Sequence, residues 1–191
     1  AMTDTQRLIE GAGLAGEAGP MIGASAIALG IVLFVAFQRL GEWMLARRNA
    51  AVLTENGWTE AGRGTYALRI ALQFAWLIAC GWAALSLRAV HWELVALFLL
   101  LQLLKAWIIL SLGPFWTGRI LTHAQAPVLR RGPYRHLRHP GEWLAAAEIA
   151  CLPLAFGAWE VALLFTLLNA ALAWYRVRVE EAAIAGRPEL R

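Results

Sequence analysis

The sequence predicts an all-α integral membrane protein with about five transmembrane helices, and three observations support this class. First, 60% of the 191 residues are hydrophobic and the mean hydropathy is +0.56, which is not typical of a soluble globular protein. Second, nearly uncharged runs of about 20 residues, the length that spans a bilayer, recur along the chain. Third, the arginines are concentrated in the polar segments between those runs. Most of the chain is therefore predicted to lie in the lipid bilayer.

The N-terminal part is predicted to contain a loose terminus, one span and one interfacial helix. Residues 1–20 combine small residues with scattered charges and lack the basic start and apolar core of a cleavable signal. Met21 to Gln38 is uncharged and just long enough to cross a bilayer. From Arg39 to Tyr66 the apolar residues keep an approximate helical face, which favours a helix at the membrane surface. The sequence leaves two roles open for this helix, a solvated linker or a cover over a ligand.

Four further spans are predicted. The second runs from about Tyr66 to Leu87 and the third from about Trp92 to Leu112. The fourth and fifth share Trp143 to Tyr175, which is too short for two full spans unless both helices extend into the flanking polar residues. Those polar residues would then occupy fixed positions on helices. Residues 21–191 form one predicted domain, with its catalytic part at about 113–185.

The distribution of arginine predicts the orientation. The opposite side of the membrane has few basic residues, so by the positive-inside rule the N-terminus is outside and the C-terminus is cytoplasmic. The net charge of +4 and pI of about 9.7 suit an anionic membrane surface, and we expect no nucleic-acid partner. Cys80 and Cys151 lack metal-type spacing, so no metal site is predicted. The arginines of the two long polar segments are Arg39, Arg47, Arg48, Arg63, Arg119, Arg130, Arg131, Arg135 and Arg138.

Polar chemistry is concentrated in two places near the C-terminal spans. Arg130 to Trp143 holds four arginines, two histidines and one carboxylate, which suggests either an anionic ligand or a polybasic segment that binds lipid headgroups. Arg176 and Glu180 lie four residues apart on one helical face and are either functional or an ordinary surface pair. Within the third span, Lys105 must face the bundle or a wet cavity, or else snorkel toward the helix end.

Several motifs in one order resemble the isoprenylcysteine carboxyl methyltransferase family, and most closely its prokaryotic integral-membrane branch. The similarity extends over roughly Arg39 to Glu181. The combination of the Gly-Pro-Tyr-Arg to Arg-His-Pro block with the later Arg-Val-Arg-Val-Glu-Glu block is specific, whereas either block alone is weak. The motifs are Arg39–Glu42, Ala46–Asn49, Leu112–Thr117, Gly132–Pro140, Glu148, Leu152–Leu154 and Arg176–Glu181.

The resemblance implies S-adenosylmethionine as the methyl donor and a hydrophobic or lipid-like small molecule as the acceptor. The acceptor would enter from the bilayer and be methylated on a carboxyl or hydroxyl oxygen. The active site would face the cytoplasm from the inner membrane. Catalytic roles are implied for Arg176, Glu180 and Glu181. Donor-binding roles fall to Tyr134, Leu137, Arg138 and His139, and more loosely to Gln102 and Lys105.

Two departures from the family pattern affect the donor site. The family usually has a variable residue and then a tyrosine after Arg-His-Pro, but Gly141 and Glu142 stand there. Many relatives have a histidine where this chain has Ala126, and His123 lies a turn earlier. These departures predict a donor pocket rebuilt around Glu142, His123 and Trp143, or a changed ligand.

The chemistry suits these residue types. In-line methyl transfer depends on holding the reacting atoms about 3 to 3.5 Å apart, arginine pairs with a donor carboxylate, and a glutamate can accept a proton. Two other functions stay open from the sequence. One is a nicotinamide-dependent membrane reductase of similar architecture, and the other is a small transporter or lipid-binding protein.

Overall fold

The computed structural model describes residues 4–62, 64–87, 90–123 and 131–185, with side chains described from residue 23 to residue 183. Three residues that the sequence interpretation used, Arg63, Ala126 and Arg130, lie outside the described residues. Within these ranges the chain forms five α-helices and one small sheet of two strands. In chain order the elements are α1 (Asp4–Glu55), β1 (Thr59–Ala61), α2 (Thr65–Leu85), α3 (Trp92–Leu112), β2 (Ile120–Thr122), α4 (Pro140–Ala155) and α5 (Trp159–Ala185).

Four of these helices are long and apolar enough to cross a membrane, which confirms the predicted all-helical membrane class. They are α1 from Gly23 onward, α2, α3 and α5. The fourth predicted span corresponds to α4, whose 16 residues extend about 24 Å and fall short of a hydrocarbon core of about 30 Å. The orientation of the helices across the membrane stays a prediction.

Helix α1 differs from the predicted pair of a span and a separate interfacial helix. It is one helix of 52 residues that continues through residues 39–55 without a break. The predicted apolar face was also wrong in part, because Leu40 and Met44 are exposed whereas Arg39, Ala46 and Ala50 are buried. These buried residues are spaced seven and four apart, so they lie on one face against the bundle. Burial of that face continues the helix past the predicted boundary.

The helices pack in two groups that share a core. Helix α4 packs between α3 and α5, while α2 packs against α1 and α5. Trp76 of α2 is almost fully buried, and its indole Nε1 donates a hydrogen bond of 3.1 Å to the carbonyl oxygen of Ile149 in α4. Because successive helices run in opposite directions, α1, α3 and α5 end where α2 and α4 begin. We call this the polar end of the bundle.

The strands β1 and β2 pair antiparallel at the polar end, with Thr59 opposite Thr122. Gly62 follows β1 with a φ of 64°, and a Cβ there would lie 2.7 Å from Val179 Cγ1 of α5. Glycine is therefore required both by the backbone conformation and by the close approach to α5. The sheet is thus fixed against the last helix, beside the segment that carries Arg176 and Glu180.

Candidate active site

Four charged side chains meet inside the bundle: Arg39 and Glu42 of α1, Lys105 of α3 and Glu148 of α4. We call them the buried charge cluster. Glu148 Oε2 accepts hydrogen bonds from Arg39 Nη2 at 2.8 Å and from Lys105 Nζ at 2.7 Å. Glu42 Oε2 lies 2.8 Å from Arg39 Nη1 and 3.4 Å from Lys105 Nζ. Two cations and two carboxylates compensate one another, as burial within membrane-spanning helices requires.

Two glutamines complete the pairing of this cluster. Gln102 Nε2 donates to Glu148 Oε1 at 2.9 Å, and Gln38 Nε2 donates to Glu42 Oε1 at 2.9 Å and to Gln102 Oε1 at 2.7 Å. The prediction that Lys105 faces the bundle is confirmed, because its side chain is 12% exposed and bonded to Glu148. Lys105 and Gln102, predicted to bind the donor, therefore bind protein carboxylates in this structure.

A cavity of about 130 Å³ extends from the buried charge cluster toward the polar end of the bundle. It lies between α1, α2, α3 and α4, and the segment that follows α3 closes it. The lining combines aromatic, small apolar and charged side chains. It consists of Arg39, Glu42, Trp43, Ala46, Tyr66, Arg69, Ile70, Gln73, Lys105, Ile108, Trp116, Thr117, Gly118, Gly141, Leu144 and Ala145.

A second charged group, the rim cluster, lies at the polar end and consists of Arg69, His139, Glu142, Arg176 and Glu180. Arg69 Nη1 donates to Glu142 Oε1 at 2.6 Å, and Arg176 Nε lies 3.8 Å from the same oxygen. His139 Nδ1 lies 3.7 Å from Glu180 Oε2. Glu142 belongs to the first turn of α4, where the helix dipole favours a carboxylate. Helices α2, α4 and α5 therefore each supply part of this cluster.

Arg176 connects the rim cluster to the closing segment of the cavity. Its Nη1 donates to Thr65 Oγ1 at 3.1 Å, and its Nη2 donates to the carbonyl oxygen of Gly118 at 3.0 Å. The residue is buried, and its Nε has no hydrogen-bond partner among the described residues. An ordinary surface pair with Glu180 is excluded, because Arg176 is buried and its bonds reach α2 and the segment after α3. Arg176 thus fixes α5 against the cavity wall.

Tyr134 lies next to the rim cluster in a short 3-10 turn, Gly132–Arg135. A Cβ at Gly141 of α4 would lie 3.7 Å from the Tyr134 hydroxyl oxygen, so the phenol reaches the helix that lines the cavity. Burial, with smaller contributions from the carboxylates of Glu180 and Glu142, raises the pKa of Tyr134 to about 12. Its hydroxyl is therefore protonated at neutral pH and can donate a hydrogen bond.

The part of the chain that supplies most of these charged groups also matches a known protein family. The model of the isoprenylcysteine carboxyl methyltransferase (ICMT) family matches residues 94–186, which include all but the first two residues of α3, and the whole of α4 and α5. This part of the chain is therefore similar to the ICMT family. The family consists of membrane methyltransferases, so the resemblance stated from the motifs is confirmed over this segment.

A curated relative extends the similarity beyond the ICMT match. The uncharacterized protein YpbQ of Bacillus subtilis (strain 168) is 27% identical over 158 residues, which cover 81% of this chain and 94% of the relative. No solved structure matches the chain. The family model covers Lys105, Glu148 and most of the rim cluster, whereas Arg39, Glu42 and Arg69 precede the ICMT segment.

The structure brings some predicted site residues together and leaves others apart. His139, Glu142, Arg176 and Glu180 meet in the rim cluster. Leu137 and Arg138 are exposed beside it, and Glu181 is exposed on α5. His123 instead stacks on Trp58, with ring centroids 5.5 Å apart. Trp143 is 71% exposed. The rebuilt pocket predicted around Glu142, His123 and Trp143 is therefore not present as one site, and of these three only Glu142 lies in the rim cluster.

Sequence reasoning missed three residues that the structure places at the centre. Arg39 and Glu42 were assigned to an interfacial helix, and Arg69, near the start of the second span, was given no role in the site. All three line the cavity. A signal was available, since a charged residue inside an otherwise apolar span needs a partner of opposite charge on another helix. Pairing such charged residues between spans would have matched Arg39 and Lys105 with Glu148, but it would not have given the distances between them.

Proposed function

We propose that this ICMT-family chain is a S-adenosylmethionine-dependent methyltransferase that methylates a carboxyl or hydroxyl oxygen of a hydrophobic or lipid-like molecule. The proposal rests on one juxtaposition: a rim cluster that a soluble ligand can reach lies next to a cavity within membrane-spanning helices. Arg69 belongs to both, because it lines the cavity and bonds to Glu142. The distribution of arginine along the chain supports a site that faces the cytoplasm from the inner membrane of a prokaryote.

The rim suits the charges of S-adenosylmethionine. That donor carries a carboxylate, an ammonium group, a sulfonium and ribose hydroxyls, and when bound it supplies an electrophilic methyl group. Arg138 is exposed and has no hydrogen bond or ion pair with any residue the structure describes, so its guanidinium can take the carboxylate. The Glu180 side chain is 42% exposed, so its carboxylate can face the reacting centre beside the bound donor. The buried Arg176 Nε provides a further unpaired donor.

The size of the cavity favours separate places for the two ligands. Pockets that hold drug-sized ligands measure about 300 to 1,000 Å³. A cavity of about 130 Å³ is too small for the whole donor and is lined by apolar as well as charged groups. The donor therefore belongs at the open rim, beside Arg138, and the acceptor belongs in the cavity. This division brings the reacting groups together near the Arg69–Glu142 pair.

The residues of the chain contribute positioning and proton transfer. Arg69 and Arg176 hold Glu142 from two sides, so that carboxylate is oriented and its charge is compensated. Tyr134 stays protonated, so its hydroxyl can donate a hydrogen bond to a ligand in this region. Among the described residues, Glu180 forms only a long ion pair with His139, which leaves its carboxylate available to take the proton of a hydroxyl acceptor. A carboxylate acceptor needs no base, and Arg176 would then orient it.

Calorimetry on the purified chain in detergent tests this proposal. We expect S-adenosylmethionine to bind at micromolar strength and Arg138→Ala to weaken binding at least tenfold, since a charge-assisted hydrogen bond is worth about 1.5 to 3 kcal/mol. Arg135→Ala is the matched control, because Arg135 is equally exposed and precedes it by three residues. Binding of a nicotinamide cofactor without donor binding would replace the proposal with a reductase. If neither cofactor binds, a transporter or lipid-binding protein becomes the better description.

A further inference from the structure

The segment after α3, residues 113–122, closes the cavity at the polar end of the bundle, and we call it the cap. It begins with the 3-10 turn Gly113–Phe115 and ends with β2, and between them residues 116–118 line the cavity. The cap belongs to none of the membrane-length helices. Its position therefore depends on the pairing of β2 with β1 and on side chains that reach it from other helices.

Asn49 of α1 anchors the start of the cap. Its Nδ2 donates to the carbonyl oxygen of Gly113 at 3.2 Å and to that of Trp116 at 2.9 Å, so one amide spans the whole 3-10 turn. Within the described residues this amide bonds to the cap alone. Asn49 therefore helps to set the position of Trp116 on the cavity wall without belonging to the rim cluster.

Arg176 of α5 anchors the other side of the cap. Its Nη2 donates to the carbonyl oxygen of Gly118 at 3.0 Å, while its Nη1 donates to Thr65 Oγ1 at 3.1 Å. Gly118 packs closely on the cavity wall, because a Cβ at this position would clash with the ring of Tyr66. Arg176 therefore bonds to a part of the cap that is in direct contact with the wall of the cavity.

The third donor of the same guanidinium faces the rim cluster. Arg176 is 7% exposed, and its Nε has no hydrogen-bond partner among the residues that the structure describes. Glu142 Oε1 of the rim lies 3.8 Å away, which is beyond hydrogen-bonding distance. A ligand oxygen that accepts the Nε–H would complete the bonding of Arg176. Because the guanidinium is planar and rigid, fixing Nε also fixes the two nitrogens that hold α2 and the cap.

We propose that Arg176 is a positioning residue that couples the rim to the cavity, so that a ligand bound at Nε tightens the cap over the cavity. The inference rests on the proposed function for the identity of that ligand, the methyl donor. Its physical basis is the set of bonds from one buried guanidinium to α2, the cap and the rim. By linkage, a firmly held cap strengthens ligand binding at the rim by the same factor. The cavity is then closed to water whenever the donor is in place.

Hydrogen exchange of the full chain in detergent tests the coupling. The probe is S-adenosylhomocysteine, which keeps the carboxylate, ammonium and ribose of the donor but has no methyl group to transfer. We expect the amides of residues 116–122 to exchange at least fivefold more slowly at saturating probe. Residues 156–158, which connect α4 and α5 at the opposite end of the bundle, should change less than twofold. Equal cap exchange with and without bound probe would overturn the proposal.

Arg176→Lys separates coupling from a purely structural role. Lysine keeps the charge, but an ammonium group cannot hold Thr65, the Gly118 carbonyl and a ligand oxygen in one plane. Without probe, the cap of this variant should exchange at least fivefold faster than that of the wild type. At saturating probe, the cap should be protected less than twofold. If Arg176 acted on stability alone, the protection by the probe would equal that in the wild type, and that result would contradict the coupling.

Asn49→Leu tests the linkage from the other side of the cap. Leucine has a similar volume but cannot donate to the two cap carbonyls, and the substitution leaves the rim cluster intact. We expect the affinity for S-adenosylhomocysteine, measured by calorimetry, to fall at least threefold. Asn56→Leu is the matched control, because the Asn56 amide bonds to the Val52 carbonyl within α1, and its affinity should change less than twofold. Equal affinity in Asn49→Leu and wild type would contradict the linkage.

The same measurements separate this inference from the proposed function. Probe binding with an unprotected cap overturns the inference alone. If the probe does not bind, the proposed function fails, and the anchoring of the cap by Arg176 is judged from the variant without probe. Unchanged cap exchange in Arg176→Lys would then overturn the anchoring as well.

Discussion

The buried charge cluster and the rim cluster contain the same kinds of side chain but differ in how completely these are paired. In the buried cluster, Glu148 is 1% exposed and both of its oxygens accept hydrogen bonds, from Arg39, Lys105 and Gln102. In the rim cluster, the Glu180 side chain is 42% exposed and its ion pair with His139 measures 3.7 Å. Glu148 therefore has little capacity left to accept further hydrogen bonds, whereas Glu180 retains most of its capacity.

This difference indicates different roles. A fully paired cluster that connects α1, α3 and α4 fixes helix positions and has little capacity left for a ligand. A partly paired cluster at the polar end can bind a ligand and take part in chemistry without breaking the fold. The same contrast explains why Lys105, a predicted donor-binding residue, is better placed as part of the wall of the cavity. Mutations in the buried charge cluster should therefore lower stability, whereas mutations in the rim cluster should lower turnover.

The largest effect is expected from Glu148→Ala in the buried cluster. The substitution leaves Arg39 and Lys105 with one carboxylate between them inside the bundle, and removing one partner of a buried ion pair costs about 3 to 5 kcal/mol. We expect a lower yield of monodisperse protein and a lower unfolding temperature, measured by size-exclusion chromatography and tryptophan fluorescence. Glu181→Ala, an exposed glutamate on α5, is the control and should leave both unchanged.

A compensated variant sharpens this prediction. Lys105→Met combined with Glu148→Met removes one charge of each sign and leaves Arg39 paired with Glu42. The double variant should be more stable than the sum of the two single effects, because the two side chains interact directly. Additive effects, or wild-type stability in Glu148→Ala, would show that the cluster does not hold the helices together.

The sequence predicted the fold well because its main signal is local. Apolar length and the segregation of arginine are properties of continuous segments, so four membrane-length helices follow from composition alone. The boundary after Gln38 was placed wrongly for a physical reason. The sequence shows where charged residues begin, but it does not show that Arg39 is compensated by Glu148, 109 residues further along. A charge that has a partner inside the bundle no longer marks the end of a span.

The candidate site was predicted in part, and the failures are non-local as well. His139, Glu142, Arg176 and Glu180 occupy helix starts and faces that motifs identify, and the structure brings them together. His123 was assigned to the donor pocket from its distance along the chain, but the β1–β2 pairing places it against Trp58. Arg69 joins the site only through its bond to Glu142 on another helix. Such contacts depend on packing that no single segment encodes.

A smaller effect, confined to catalysis, is expected from Glu180→Gln in the rim cluster. If the acceptor is a hydroxyl, the glutamine cannot take its proton, so turnover should fall at least tenfold while donor affinity changes less than twofold. Stability should be unchanged because the Glu180 side chain is partly exposed and makes only a long contact. Turnover is measured as transfer of a labelled methyl group, and donor affinity by calorimetry.

Glu55→Gln is the control for this prediction, since the Glu55 side chain is exposed at the end of α1 and lies outside the rim cluster. Its turnover should stay within twofold of the wild type. Equal turnover in Glu180→Gln and wild type would remove Glu180 from the reaction. A large loss of unfolding temperature in Glu180→Gln would instead assign the rim cluster the structural role that we give to the buried one.

The smallest effect concerns Tyr134, which lies at the edge of the rim cluster. With its pKa raised to about 12 against about 10 for a free tyrosine, the phenol is protonated in the folded chain throughout the neutral range. Turnover between pH 6 and 9 should therefore have the same pH profile in Tyr134→Phe as in the wild type, with at most a severalfold lower rate from the loss of a hydrogen-bond donor.

The titration itself can be observed at high pH. The folded pKa is the raised one, so this residue's contribution to stability is intact below about pH 10 and is lost as the pH rises toward 12. The chain has three tyrosines, and the absorbance at 295 nm of wild type minus Tyr134→Phe isolates this one. A difference curve with its midpoint near 12 supports a phenol enclosed beside the carboxylates of the rim cluster. A midpoint near 10 would mean that Tyr134 faces water, and the rim would then extend no further than His139.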